Sequence, residues 1–345
     1  FISMIEVPFC GASYQMDSLD VSAQRSVNLY PEIYNDGKTK TVMSMRNTHG
    51  LLAFASLGGT NQIRGMYQSS TGALFTVQGK RAETDSTAGT PTFRFDLSTG
   101  DAPGESTIVR MADNGTVLLI ADGTSVPYTW NLSTSIATQV SDADYPGGSH
   151  IGFLDGYYIV NKPNTLFAYY STLDDPTDWP SGNTITKEGT SDYINGLIVS
   201  DRRLWLFGEQ SYEVHYNTGD STNQFLRIEG TYHEIGLHAP DSLAQNGSAV
   251  FWLGGSAQGF GQIYMTQGFD AIPISTVPIE RDIHGYTTTT DAEGFTFQQD
   301  GHDFYQLTFP SENKTWVYDI TTGLWHEKLS RNPNTSIEER HRART

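Results

Sequence analysis

Apolar residues in this chain come in short blocks, each closed by a Gly, Asp or Asn turn. No window of a dozen residues sustains apolar positions at i, i+3, i+4 and i+7 without a Gly, Pro or turn cluster interrupting it, so the pattern argues against helices and for strands. Six blocks stand out: "GALFTVQGK" (72–80), "GTVLLIADG" (115–123), "GFLDGYYIVN" (152–161), "DRRLWLFGEQ" (201–210), "GSAVFWLGG" (247–255) and "GHDFYQLTFP" (301–310). Measured at Phe75, Leu119, Tyr158, Leu206, Trp252 and Tyr305, they recur after 44, 39, 48, 46 and 53 residues. A repeat of roughly 45 residues holding about four short strands is the period of a β-propeller blade.

After a turn, most blocks are followed by a second strand rich in aromatics. These are "VPYTWNL" (126–132), "TLFAYYST" (165–172), "SYEVHYNT" (211–218), "GQIYMTQG" (261–268) and "TWVYDI" (315–320). In "HDFYQLTFPSENKTWVYDITTGLWHE" (302–327) the first two apolar pieces read as a hairpin, and Trp325 opens an outer strand. The aromatics suit the wide gap between neighbouring sheets. The expected fold is all-β, a β-propeller of about six blades with an extended N-terminal arm. A β-sandwich or two stacked barrels are the alternatives. The expected divisions are an arm or docking segment over 1–55, a propeller body over 56–330 and a polar tail over 331–345.

Composition narrows the function. The 345 residues are 37% hydrophobic, 12% aromatic and only 17% charged, with a formal net charge of −18. Such a chain lacks the basic surface that grips nucleic-acid phosphates. Its basic residues, among them Arg64, Lys80, Arg81, Arg202, Arg203, Arg227 and Arg281, are scattered, and the terminal "EERHRART" is mixed in sign. The single cysteine, Cys10, has no neighbouring His or basic residue and reads as an inert thiol. No apolar run is long enough for a membrane span, and no secretion signal is expected. The sequons at Asn114, Asn131, Asn246, Asn313 and Asn334 then read as polar turns.

Motifs that carry chemistry are weak. "HEIGLH" (233–238) has zinc-ligand residue types, but its spacing is one residue too long and Gly236 breaks any helix. "WLGGSAQGFGQ" (252–262) is Gly-rich without the Lys of a phosphate loop. Glycoside hydrolysis would need two paired carboxylates. Asp113, Asp155, Asp201, Glu209 and Asp300 all sit in turns beside strands, where acids usually form the turn. No catalytic, cofactor or metal residues are expected.

Several segments resemble a family of short-tailed phage proteins, the packaged-DNA stabilisation or tail hub (nozzle) proteins. They are "SAQRSVNLYPEI" (22–33), "RGMY" (64–67), "FLDGYYIV" (153–160), "DRRLWLFGEQSYEVHYNTG" (201–219), "IGLHAPDSLA" (235–244), "ISTVPIERDIHGY" (274–286) and "FYQLTFPSENKTWVYDITTGLWHE" (304–327). The resemblance implies a non-enzymatic virion protein with no cofactor, made in the host cytoplasm and assembled as a homo-hexamer. That ring would sit beneath the portal and its adaptor, continue the DNA channel, retain the genome and connect to tail-tip or tailspike proteins. Duplex DNA would pass without specific binding, and no membrane insertion is implied. Members of the family continue past the position of Thr345, so the last blade is expected to lack its closing strands unless the arm supplies one. Arg25, Asn28 and Tyr30 in the arm, with Glu280 and Arg281, are the expected inter-subunit contacts. The alternative function is a propeller that binds or hydrolyses polysaccharide.

Overall fold

The structure, a computed structural model, describes residues 13–15, 23–34, 42–59, 61–85, 89–99, 107–332 and 335–343. Cys10 and the Asn334 sequon lie outside the described residues. The fold is the expected all-β propeller class: six sheets of antiparallel meander strands at blade spacing, with two-stranded hairpins at either end of the chain. The chain divides into two compact units. One is Leu52–Leu237 with Gly255–Gln258 and Thr345; the other is Phe1–Leu51, His238–Gly254 and Gly259–Arg344.

The first unit holds four sheets. The expected blocks form their second strands, namely Leu74–Gln78, Val117–Ala121, Tyr157–Asn161 and Arg203–Gly208. The aromatic segments form third strands such as Tyr128–Asn131 and Tyr212–Asn217. The first strands of successive sheets lie beside one another, which is how blades pack around a propeller axis. At Gly65 this approach leaves no room for a side chain, because a Cβ there would lie 2.2 Å from the Val109 carbonyl oxygen.

Side-chain alternation explains why the second strands read as unbroken apolar runs. In Val117–Ala121, Leu118 and Ile120 pack with Phe75, Val77 and Trp130 of one core. Leu119 between them packs with Tyr158, Val160 and Trp179 of another. In the next sheet Tyr158 and Val160 point back, while Ile159 joins Leu154, Leu204, Leu206 and Phe225. A strand apolar on both faces must be covered on both faces.

Three hairpins between first and second strands turn on acids considered for catalysis. The two-residue turns Asp155–Gly156, Asp201–Arg202 and Asp300–Gly301 have φ of 49° and 91°, 47° and 55°, and 51° and 83°. Positive φ at both positions is what a type I′ turn demands, and Asp and Gly adopt it at low cost.

The second unit holds the sixth sheet and the fifth apart from its Gly236–Leu237 strand. The sixth comprises Glu293–Gln299, His302–Phe309, Lys314–Asp319 and Leu324–Glu327 in register order. It therefore has four strands, where a last sheet short of closing strands was expected. The stretch after it, expected as a polar tail without an apolar strand, forms a polar hairpin of Leu329–Arg331 with Glu338–Arg340. One helix, α1 (Val277–His284), was also not expected. Pro278 suits its first turn, and Ile279 and Ile283, one turn apart, bury into the core of Phe251, Leu307, Trp316 and Trp325.

Candidate functional site

The sixth sheet has two unlike faces. Tyr305, Leu307 and Phe309 join Trp316, Tyr318 and Trp325 in the apolar core shared with the fifth sheet. The alternate residues Phe304, Gln306 and Thr308, with Thr315, Val317 and His326, are equally buried but largely polar. The chain's own two ends cover them.

The N-terminal arm runs along the outer strand. Val27 pairs with Glu327 in a parallel bridge. The Asn28 amide donates to the Glu327 carbonyl at 2.8 Å, and the Glu327 amide donates to Ser26 at 2.9 Å. Further out, the Ser13 amide donates to the Trp325 carbonyl at 2.8 Å. An outer strand otherwise exposes unpaired backbone, and addition of a chain segment satisfies it. Arg25 closes the latch with two hydrogen bonds to the Glu327 carboxylate, Nε to Oε1 at 2.8 Å and Nη2 to Oε2 at 2.7 Å. Asn28, at φ 55°, donates from Nδ2 to the Leu329 carbonyl at 3.1 Å and accepts the Leu329 amide at 2.9 Å. The arm then continues as a hairpin of Leu29–Tyr34 with Val42–Asn47.

Tyr30 is the arm's anchor. It is 1% exposed and meets His302 and Phe304 edge-on, with centroids 5.1 and 5.3 Å away. Its hydroxyl donates to Asp300 at 3.3 Å. Burial, then the Asp300 charge and hydrogen bond, raise its pKa. At the other end of the sheet, the His341 amide donates to Thr315 Oγ1 at 3.0 Å, and its ring lies 3.4 Å from Gln306.

The covered face is rich in titratable groups. His302 pairs with Asp319 at 2.8 Å. Burial, then the Lys328 charge, push the His326 imidazole down to about 3 and that of His341 down to about 4. Burial pushes the Lys328 ammonium down to about 8, and its Nζ lies 4.7 Å from the Phe297 ring centroid. The Gln306 Oε1 and His326 Nδ1 atoms are buried with no hydrogen-bond partner among the described residues.

Of the residues expected at subunit contacts, Arg25, Asn28 and Tyr30 come together at this latch, against the same chain. Glu280 and Arg281 lie on α1, where Glu280 accepts from Ser275 Oγ at 2.7 Å and Arg281 is exposed. Glu327, Lys328, Gln306 and His341 carried no sequence signal; only their place on a buried face singles them out.

The enzymatic alternatives find other roles for their residues. "HEIGLH" contains the short strand Gly236–Leu237 rather than a helix, and His233 stacks on Tyr212 at 4.8 Å. Burial pushes the Asp113 carboxyl up, but hydrogen bonds from Ser70, Gly115 and Tyr67 outweigh it and hold the pKa below its ordinary value. Asp155 takes Arg202 at 2.7 Å. No group of three or more potential metal ligands occurs among the described residues, and no described helix is long and apolar enough to cross a membrane.

Comparison with known proteins agrees on the fold. The extracellular domain of a putative hybrid two-component system, BT4673 from B. thetaiotaomicron, superposes with a TM-score of 0.53 at 10% identity, over 81% of this chain and 35% of that one. A chain of the mitotic checkpoint complex superposes with a TM-score of 0.50 at 9% identity, over 81% of this chain and 82% of that one. This chain thus spans about a third of the first protein, and at such identities the likeness shows the fold alone. No curated protein matches. A family model does match, from the arm through the sixth sheet, and on it the chain belongs to the phage stabilisation family described as "Bacteriophage P22 Gp10, beta-propeller" over residues 5–338, a family of structural phage tail proteins that stabilise packaged DNA.

Proposed function

We propose that this chain is one subunit of a homo-hexameric hub or nozzle ring in the phage tail. The ring continues the DNA channel beneath the portal and its adaptor, retains the packaged genome and connects to tail-tip or tailspike proteins. The subunit is made in the host cytoplasm and joins the virion without catalysing a reaction. The observation that carries the reading is that the family match is continuous over residues 5–338, taking in the arm as well as the sheets. The net charge of −18 supports it, because an acidic wall repels phosphates and lets duplex DNA slide. Electron microscopy of the full-length protein, alone and with its neighbouring tail proteins, is the test. Six-fold rings with an opening wide enough for duplex DNA are expected. Monomers that form no ring even with those partners would overturn the proposal.

A further inference from the structure

A cleft of about 340 Å³ lies where the arm meets the C-terminal hairpin. Lys328, Arg331, Arg342, His49, His341 and Asn28 line it, together with backbone of both segments. In a chain of net charge −18, three cationic side chains, Lys328, Arg331 and Arg342, meet at this one cleft. No carboxylate lines it, and the acids that touch its lining residues from outside are occupied. Asp300 pairs with His49 at 3.1 Å. Glu339 accepts Asn332 Nδ2 at 2.7 Å and stands 3.5 Å from Arg342.

Lys328 is the telling residue. It is only 6% exposed, yet no carboxylate pairs with it among the described residues, and its ammonium rests over Phe297 with two imidazoles nearby. Burying a cation without a counter-ion is costly, and an anion bound beside it would offset that cost. Arg331 likewise spends its Nε on the Ser336 carbonyl, at 3.2 Å, rather than on an acid.

We propose that this cleft binds a phosphate group, held by Lys328 and Arg331 with Arg342 at the rim. One carboxylate would leave positive charge uncompensated, whereas a phosphate carries nearly two negative charges and enough oxygens for an ammonium and a guanidinium fork. The volume is roughly ten times the ~30 Å³ share of one water, so a phosphate fits with the group esterified to it. The phosphate can come from a small phosphate compound, which brings nearly two charges on one group, or from a nucleic-acid backbone at the rim, whose phosphodiesters bring one charge each, so that two neighbouring groups would meet the cations. This inference is independent of the ring assembly proposed above.

The test is calorimetric titration of the full-length protein with inorganic phosphate and pyrophosphate at pH 7 and low salt. Fluorescence anisotropy with a labelled short DNA duplex runs in parallel. Binding of at least one probe is expected, weakened about tenfold or more in Arg331→Gln and in Arg342→Gln. Both positions lie at the surface, so folding should survive, and Arg94→Gln outside the cleft should bind like the parent. Lys328→Gln should abolish binding if it folds. Pyrophosphate binding without duplex binding assigns the site to small phosphates; duplex binding lost in the same variants assigns it to the backbone. No binding by either probe, or binding unchanged in Arg331→Gln and Arg342→Gln, overturns the proposal.

Discussion

The second strands of the second and sixth sheets are both buried, yet they are built oppositely. In Val117–Ala121 both faces are apolar, with Leu118 and Ile120 on one side and Leu119 on the other, all at most 1% exposed. In His302–Phe309 one face carries Tyr305, Leu307 and Phe309, while the other carries His302, Phe304, Gln306 and Thr308. The first strand is sandwiched between sheets of its own kind, so dispersion and the hydrophobic effect suffice. The second meets sheet on one side and extended chain ends on the other. Extended chain brings its own backbone donors and acceptors, and a polar face can satisfy them. The cost is visible in Gln306 Oε1 and His326 Nδ1, which lack a partner among the described residues, and in the burial that lowers the Lys328 pKa.

The sharpest test of this contrast is to cut into each face. Leu119→Ala, fully buried between two sheets, should destabilise by about 4 kcal/mol in denaturant unfolding. Gln306→Leu, equally buried, should cost less than about 1 kcal/mol or stabilise, because it removes an unsatisfied polar atom. Equal losses would erase the distinction. Next in size, Tyr30→Ala should cost the arm about 3 kcal/mol. Hydrogen exchange should then show the amides of Asn28 and Glu327 exposed while Leu118 and Leu119 keep their protection.

Acid should also separate the two faces. His326 and His341 have folded pKa values of about 3 and about 4, below their unfolded value, so both stay neutral in the fold while the unfolded chain takes up protons. Their stabilising contribution is complete above the unfolded value and is lost as pH falls from about 6.5 towards 4, on the order of 2 kcal/mol per histidine by pH 5. Lys328, lowered to about 8, works in the alkaline window, where stability should rise as pH passes from about 8 to 10.5. Thermal melts across pH 4.5–7.5 of the parent and of His326→Leu check the acid limb. A variant that keeps the full acid loss would remove His326 from the account.

The latch itself is a smaller effect. Arg25 is 44% exposed, so Arg25→Gln should loosen the arm by only about 1 kcal/mol, seen as faster exchange at Asn28 without a change in the global midpoint. Smallest is Arg202→Gly in the turn at φ 55°. Relief of left-handed strain outweighs the exposed contact with Asp155, for a net gain below about 1 kcal/mol in the same unfolding assay. A loss instead would mean that the Asp155 pair matters more than the backbone.

The repeat was legible because second strands packed between two sheets are apolar on both faces, so "TVLLIA" and "LWLF" announce themselves by composition alone. The Asp–Gly turns were legible for the same local reason, since positive φ is a property of the residue. α1 was not: an eight-residue helix with two buried isoleucines is too short to stand out against its proline and glycine neighbours. Nor was the C-terminal hairpin, whose strands are polar and held by neighbours rather than by a core of their own. Arg25, Asn28 and Tyr30 were picked out from the sequence, but as contacts to another chain.

The sequence by itself determined that this protein is a series of short-stranded antiparallel sheets at blade spacing, because alternation, turn residues and aromatic content act within a few neighbours along the chain. Only the tertiary structure decided that the arm lies on the last strand, that the C-terminal hairpin closes the polar face and that Lys328 has no carboxylate partner among the described residues. Arg25 and Glu327 are 302 positions apart, and no local pattern carries information over that distance. It takes the folded chain to bring them within 3 Å and to set the cost of every charge buried around them.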